Sequence, residues 1–155
     1  MPTQKHHFSS PDETAAFARR IGARLTAGDT LLLTGDVGAG KTHFARSLIQ
    51  SLLETPEDVP SPTFTLVQTY DSPVAEIWHA DLYRLSDPSE IEELGLRDAF
   101  DTAICLVEWP DRLGDLRPAN ALDITLSPGD GETDRHMTIA WDTGLWEQKL
   151  CDGMP

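Results

Sequence analysis

Apolar residues recur along the chain at two different spacings. Phe17, Ile21 and Leu25 are four apart, which places them on one face of a helix, and Ser10, Pro11 and Glu13 ahead of them form a helix-start signal. Gly28 and Asp29 end that helix. Leu31, Leu32 and Leu33 then form an unbroken apolar run between polar and glycine punctuation, which predicts a buried strand over Thr30 to Thr34. From Thr42 to Leu53 the helical spacing returns in Phe44, Ala45, Leu48, Ile49 and Leu52, with Pro56 and Pro60 beyond its end.

Further along, Thr63 to Tyr70 alternates polar and apolar residues. The turn formers Asp71, Ser72 and Pro73 lead into Val74 to Asp81, predicting an antiparallel hairpin. Asp87, Pro88 and Glu90 start a short helix that Gly95 closes. Thr102 to Val107 is a further buried strand, delivering Glu108 and Trp109 at its C-terminal end. Ala121 to Leu126 and Met137 to Trp141 flank Pro128, Gly129, Asp130 and Gly131 and predict a terminal hairpin. The residues from Trp146 to the end read as a weakly ordered tail. Strands alternating with helices predict an α/β fold in one domain spanning 1–155, its mostly parallel central sheet flanked by helices and carrying antiparallel edge strands.

Composition narrows the function classes. The chain has 155 residues, of which 39% are hydrophobic and 25% charged, as in ordinary globular proteins. Asp and Glu number 26 against 12 Lys and Arg, a formal charge of -14, which opposes autonomous binding to a nucleic acid. No run approaches the roughly 20 apolar residues that cross a bilayer, and no signal peptide is evident. The expected location is the cytoplasm. Cys105 and Cys151 form neither a disulfide framework nor a metal-ligand spacing, and the five histidines match no zinc pattern.

Between the first predicted strand and the helix that follows it lies the chemistry. Gly35, Asp36, Val37, Gly38, Ala39, Gly40, Lys41 and Thr42 match the P-loop pattern, which average composition produces by accident in roughly one chain of this length in two hundred. The glycines allow positive φ and turn backbone N–H groups inward around a β-phosphate at a helix N-terminus. Lys41 supplies a point charge to the β- and γ-phosphates, and the Thr42 hydroxyl a ligand for Mg²⁺. The expected cofactors are ATP and Mg²⁺. Hydrolysis also needs an acid from a neighbouring strand end. Glu108 is the favoured metal-linked acid, and Asp81 could contact the metal through water or act as the base. Ser61 to Thr65 carries hydroxyls suited to a switch segment. No Asn-Lys-x-Asp segment supports guanine specificity.

In this order and spacing, GDVGAGKT, SPTFTLVQTY, HADLYRL and LVEWPDRL resemble the bacterial TsaE (YjeE) family, the ATPase of tRNA threonylcarbamoyladenosine biosynthesis. The resemblance runs from about Asp12 to Trp141. It implies a compact P-loop fold, slow ATP hydrolysis, and partnership with the TsaD and TsaB subunits in tRNA modification. It also implies catalytic roles for Lys41, Asp81 and Glu108, metal contacts from Thr42 and Glu108, and nucleotide contacts from Gly35 through His43 together with Thr65 and Trp109. His43 stands where the family commonly has a hydroxyl residue, and Ala80 where it has a bulkier one. A P-loop small-molecule kinase is the alternative, although no long insertion between Tyr83 and Trp109 suggests a closing lid.

Overall fold

The computed structural model describes residues 2–151 except Val37, Thr63, Phe64, Ser86, Pro88 and Thr143, and describes the backbone but not the side chain of Cys151. Its elements are β1 (Thr3–Phe8), α1 (Pro11–Gly22), β2 (Thr30–Thr34), α2 (Lys41–Leu52), β3 (Val67–Tyr70), β4 (Ile77–Asp81), α3 (Ser89–Leu94), α4 (Leu96–Thr102), β5 (Ile104–Glu108), 3₁₀ turns over Pro110–Leu116, β6 (Leu122–Pro128), β7 (Arg135–Ala140) and α5 (Gly144–Cys151). The strands form one seven-stranded sheet in the order β1-β7-β6-β2-β5-β4-β3. Strands β6, β2, β5 and β4 are mutually parallel at its centre, and β3, β7 and β1 are antiparallel additions. The α/β architecture with a mixed sheet is the expected one.

Strands β2 and β5 are covered on both faces, which explains their continuous apolar runs, whereas β6 alternates buried residues with more exposed ones. Leu31, Leu33, Ile104, Leu106, Leu122 and Ile124 meet Phe17, Ile21, Phe44, Leu48 and Ile49 of α1 and α2. Leu32, Ala80 and Val107 face the opposite way, towards Ile91 and Leu96 of α3 and α4 and Leu113 of the 3₁₀ turns. Period-two alternation therefore places Ile77, His79 and Asp81 of β4, and Ile104, Leu106 and Glu108 of β5, on the α2 side. That face carries the site at its C-terminal edge.

Several boundaries differ from expectation for identifiable reasons. The strand expected from Thr63 begins only at Val67, because Leu66 takes a left-handed φ of 68° and its N–H turns back to the Pro62 carbonyl. Thr63 and Phe64 lie outside the described residues. The strand expected from Val74 begins at Ile77. The strand expected from Thr102 begins at Ile104, since α4 holds the preceding residues in a helix. At α1, Ser10 Oγ accepts from Glu13 N–H at 3.2 Å as a cap should, but the Glu13 carboxylate accepts from Ser9 N and Oγ instead of closing the box on Ser10.

Of the tail expected over 146–155, the part through Cys151 belongs to helix α5, held by burial of Trp146 and Leu150 in the core and by a Lys149 ammonium donating to the buried Asp29 carboxylate, and 152–155 lie outside the described residues. Strand β1 is an unexpected element. Its residues alternate in exposure but only Phe8 is buried, so no apolar pattern announces it. No helix among the described residues is long and apolar enough to cross a membrane.

Candidate functional site

Glycines stand where the chain leaves β2 and where it enters α2. A Cβ on Gly35 would stand 2.5 Å from the Leu126 carbonyl oxygen, so the loop can leave β2 this close to β6 only through glycine. Gly40, at φ 104°, is the N-cap of α2 and contributes no side-chain cap, and the first turn of α2 contains no acidic residue. The positive end of the helix, with its N–H groups, is thus left free of a protein anion. Gly38 also has positive φ, at 85°.

Lys41 begins the helix and is 5% exposed. Its ammonium donates to the carbonyls of Gly35 and of Asp36, the latter at 3.1 Å, and lies 4.2 Å from the centre of the Trp109 ring. Burial lowers its pKa, against the opposing influence of Glu108, Asp81 and Asp36. The next residue, Thr42, donates its hydroxyl to Glu108 Oε1 at 2.9 Å, joining the loop to the end of β5. Asp81 is directly in register with Glu108 across the β4–β5 ladder, is 4% exposed, and accepts from the Tyr83 N–H at 3.0 Å.

Trp109 has φ 59° and ψ 55°, a left-handed conformation that costs a non-glycine residue about 1–3 kcal/mol. Its position is fixed on both sides. Its N–H reaches the Leu33 carbonyl, and Pro110 follows, disfavouring the right-handed helical region for the residue ahead of it. The strained backbone turns the indole back over Lys41 and against Tyr83, with ring centres 4.9 Å apart.

A cavity of about 510 Å³ is lined by Gly38, Gly40, Lys41, Thr42, His43, Asp81, Tyr83, Glu108, Trp109 and Arg135. Most of the expected site residues meet there. Gly35 and Asp36 contribute carbonyls to Lys41, Ala39 is buried behind the loop, and Val37 lies outside the described residues. Thr65 does not line the cavity; it is exposed, and its hydroxyl accepts from Gln68 Nε2 at 3.0 Å. His43 lines the cavity while its Nε2 lies 3.0 Å from the Pro11 carbonyl, tying α2 to α1. Ala80 faces the opposite side of the sheet. A cavity of similar size at the other end of the strands, near Gly28, Arg97 and Asn120, contains none of the expected residues.

Two further residues line the cavity, Arg135 and Tyr83, and a third, His79, lies behind it against Glu108. Arg135 of β7 donates to the Gly38 carbonyl at 3.3 Å, bringing a guanidinium to the phosphate loop from a strand 97 positions away. Tyr83 packs against Trp109 with the two ring planes tilted by 46°. His79 is fully buried and its Nε2 lies 2.7 Å from Glu108 Oε2. Its sequence signal is an imidazole at a strand position that alternation reserves for a core residue.

The donor set suits a nucleotide with a hard divalent cation. A hydroxyl and a carboxylate oxygen converge beside a buried ammonium, and Mg²⁺ typically takes one or two protein oxygens and completes its shell with phosphate and water. Among the described residues no cluster of three or more His, Cys, Asp or Glu could hold a metal by itself.

Comparison with known proteins agrees with this geometry. The family model for "Threonylcarbamoyl adenosine biosynthesis protein TsaE" matches residues 8–137. The TsaE protein of Rickettsia bellii is 41% identical over 119 residues, covering 77% of this chain and 83% of that protein. The TsaE protein of Bacillus subtilis is 38% identical over 153 residues, covering 98% and 94%. The crystal structure of Bacillus subtilis YdiB superposes with a TM-score of 0.80 at 29% identity, over 96% of this chain and 92% of that one. With a family match across most of its length and a P-loop fold carrying the expected loop, the chain belongs to the TsaE family of threonylcarbamoyladenosine biosynthesis proteins.

Proposed function

We propose that this protein binds ATP with Mg²⁺ at Gly35–Thr42 and hydrolyses it, slowly alone and faster in complex with TsaD and TsaB, in support of N6-threonylcarbamoyladenosine modification of tRNA. The observation that carries the reading is the Thr42–Glu108 hydrogen bond beside Lys41, which brings together in one cavity the three groups that a phosphate and its metal require.

Lys41 is held in reserve by the carbonyls of its own loop. An incoming β,γ-phosphate offers a charged acceptor in their place, and a charge-assisted hydrogen bond is about twice as strong as a neutral one. The N–H groups of the loop and of the first turn of α2 surround the phosphate. Thr42 and Glu108 hold the metal, which when bound neutralises charge developing on the phosphate oxygens. Asp81, buried beside Glu108, is placed to hold a water of the site. Trp109 and Tyr83 shield Lys41 from bulk water on one side. A smaller cavity of about 110 Å³, lined in part by Pro11, Thr14 and Thr133, shares Gly40, His43 and Arg135 with the main one.

The kinase alternative has less support. The described residues between Tyr83 and Trp109 form α3, α4 and β5, which pack on the sheet through Ile91, Leu96 and Val107 and do not build a lid over the cavity. The formal charge of -14 favours a basic protein surface over tRNA as the direct partner.

The test is ATP turnover with and without the TsaD and TsaB of the same organism, for the wild type, Lys41→Ala and Glu108→Ala. Stimulation by partners that both substitutions abolish is expected. Turnover indifferent to the partners, with ATP consumed stoichiometrically by an added metabolite, would replace this reading with the kinase.

A further inference from the structure

Glu108 is gripped at both oxygens. Oε1 accepts from Thr42 and Oε2 lies 2.7 Å from His79 Nε2, and both the histidine and the glutamate are almost wholly removed from solvent, at 0% and 2% exposure. We infer that His79 is a positioning residue that holds Oε2 and so presents Glu108 to the metal site through Oε1 alone; this rests on the nucleotide-binding reading above.

The case starts from what His79 does not do. Its Nδ1 is buried with no hydrogen-bond partner among the described residues, so the ring leaves one polar atom unsatisfied in the core. Its neighbours on the same face are Ile77, two positions back on β4, and Leu106, its register partner on β5, and both are fully buried. An apolar side chain would fill that position at lower cost. The contact with Glu108 is the one polar interaction the ring has among the described residues, and a carboxylate oxygen can only accept, so the proton sits on Nε2.

Geometry gives the contact its effect. Glu108 has three rotatable side-chain bonds, and the Thr42 hydroxyl alone would leave the carboxylate free to rotate about the last of them, exchanging its two oxygens. A second donor on the opposite oxygen removes that freedom. It also withholds Oε2 from the cavity, so that Glu108 acts as a one-oxygen ligand, leaving the remaining metal positions to Thr42, phosphate and water. Small cations with strict octahedral demands suit such one-point carboxylate contacts, whereas two-oxygen contacts suit larger ones. Partners that orient a ligating side chain in this manner are typically worth about 10–100-fold in metal affinity or activity.

The experiment compares the wild type with His79→Phe, which keeps a ring but no donor, and His79→Gln, whose amide can donate to Oε2. ADP is titrated without metal, and Mg²⁺ is then titrated at saturating ADP, following tryptophan fluorescence. The result expected is that His79→Phe binds metal-free ADP as the wild type does but needs at least about tenfold more Mg²⁺ for half-saturation, with His79→Gln restored to within about threefold. An unchanged Mg²⁺ requirement in His79→Phe, or equal impairment of both variants, would overturn the inference in favour of a packing role. A wild type that gives no response to ADP at all identifies the nucleotide reading itself as the failure. Should His79→Phe not fold, nitrogen NMR of the wild-type imidazoles decides: a protonated Nε2 that shifts when Mg²⁺ joins ADP supports the inference, and a protonated Nδ1 or an unmoved Nε2 overturns it.

Discussion

Helices α1 and α2 are each 12 residues long and pack against each other, yet their N-termini are built on opposite principles. The first turn of α1 is finished by the protein itself. Ser10 caps it, Pro11 occupies the position where no N–H is needed, and Asp12 and Glu13 face the positive end of the helix dipole, with Arg19 and Arg20 at the other end. The first turn of α2 has none of these. Its N-cap is a left-handed glycine, its first charged residue is a lysine, and the carboxylate that comes nearest, Glu108, is engaged by Thr42 and His79. The same unsatisfied N–H groups exist in both. In α1 they stabilise the fold through protein partners, and in α2 they are left for an anion from outside.

That contrast can be broken most forcefully at Lys41. Lys41→Ala removes the one cation at the loop that is buried in the cavity, and ATP turnover measured with partners present should fall on the order of 10²–10³-fold, the usual consequence of losing a group aimed at developing charge. Thermal unfolding of the same variant should change little, because the ammonium serves loop carbonyls instead of the core.

A smaller effect is expected from giving α2 the kind of terminus that α1 has. Gly40→Asp and its neutral counterpart Gly40→Asn share the strain of a side chain at φ 104°, so the difference between them isolates a carboxylate that competes with the phosphate for the same N–H groups. ADP affinity by calorimetry should be at least about tenfold lower in Gly40→Asp than in Gly40→Asn, since opposing like charges cost several kcal/mol. Equal affinity in the two would mean that the phosphate does not sit at this helix end.

The converse change sharpens the comparison. Ser10→Ala should lower stability in urea denaturation by about 1 kcal/mol, the common value for a lost cap, and leave nucleotide affinity as it was. A loss of affinity would show that the two termini are coupled, with the His43 contact to the Pro11 carbonyl as the connecting path.

The smallest expected change concerns Cys105, on β5 three residues before Glu108. Burial pushes its thiol up to about 12 from the ordinary 9.0, so alkylation of the native protein at pH 8 should be undetectable and should begin only on unfolding. Because the folded-state pKa is the raised one, this thiol's contribution to stability is intact below about pH 9 and is lost as pH rises from there through about 12. Denaturation midpoints across that window check the sign.

What could be read from the sequence follows the range of the interaction. The P-loop was legible because the roles of Gly35, Gly40, Lys41 and Thr42 are set within eight residues, and β2 was legible to the residue because punctuation bounds its three leucines on both sides. Glu108 and Asp81 were legible as strand ends. Strand β1 was not, because its place is decided by pairing with β7 from the far end of the chain while its own residues are mostly exposed. Helix α5 escaped notice for a similar reason: Trp146 and Leu150 are buried in the main core, Trp146 donates to the Asn120 carbonyl, and Lys149 completes the attachment at Asp29, 120 positions earlier. Arg135 joins the site from β7 through its hydrogen bond to Gly38, which no local spacing signals, whereas His79 and Tyr83 flank Asp81 in the HADLYRL motif. Thr65 lies apart from the cavity, its exposed hydroxyl accepting from Gln68.

The central claim is that the bare N-terminus of α2 and the Thr42–Glu108 contact form a site for a magnesium nucleotide, and calorimetric titration of ATP into the protein with and without Mg²⁺ tests it most directly. One ATP per chain, bound more tightly with Mg²⁺ in the wild type but not in Glu108→Ala, and not bound by Lys41→Ala, is the predicted result. No heat of binding in the wild type, or binding that both variants retain in full with its metal dependence unaltered, would contradict the account.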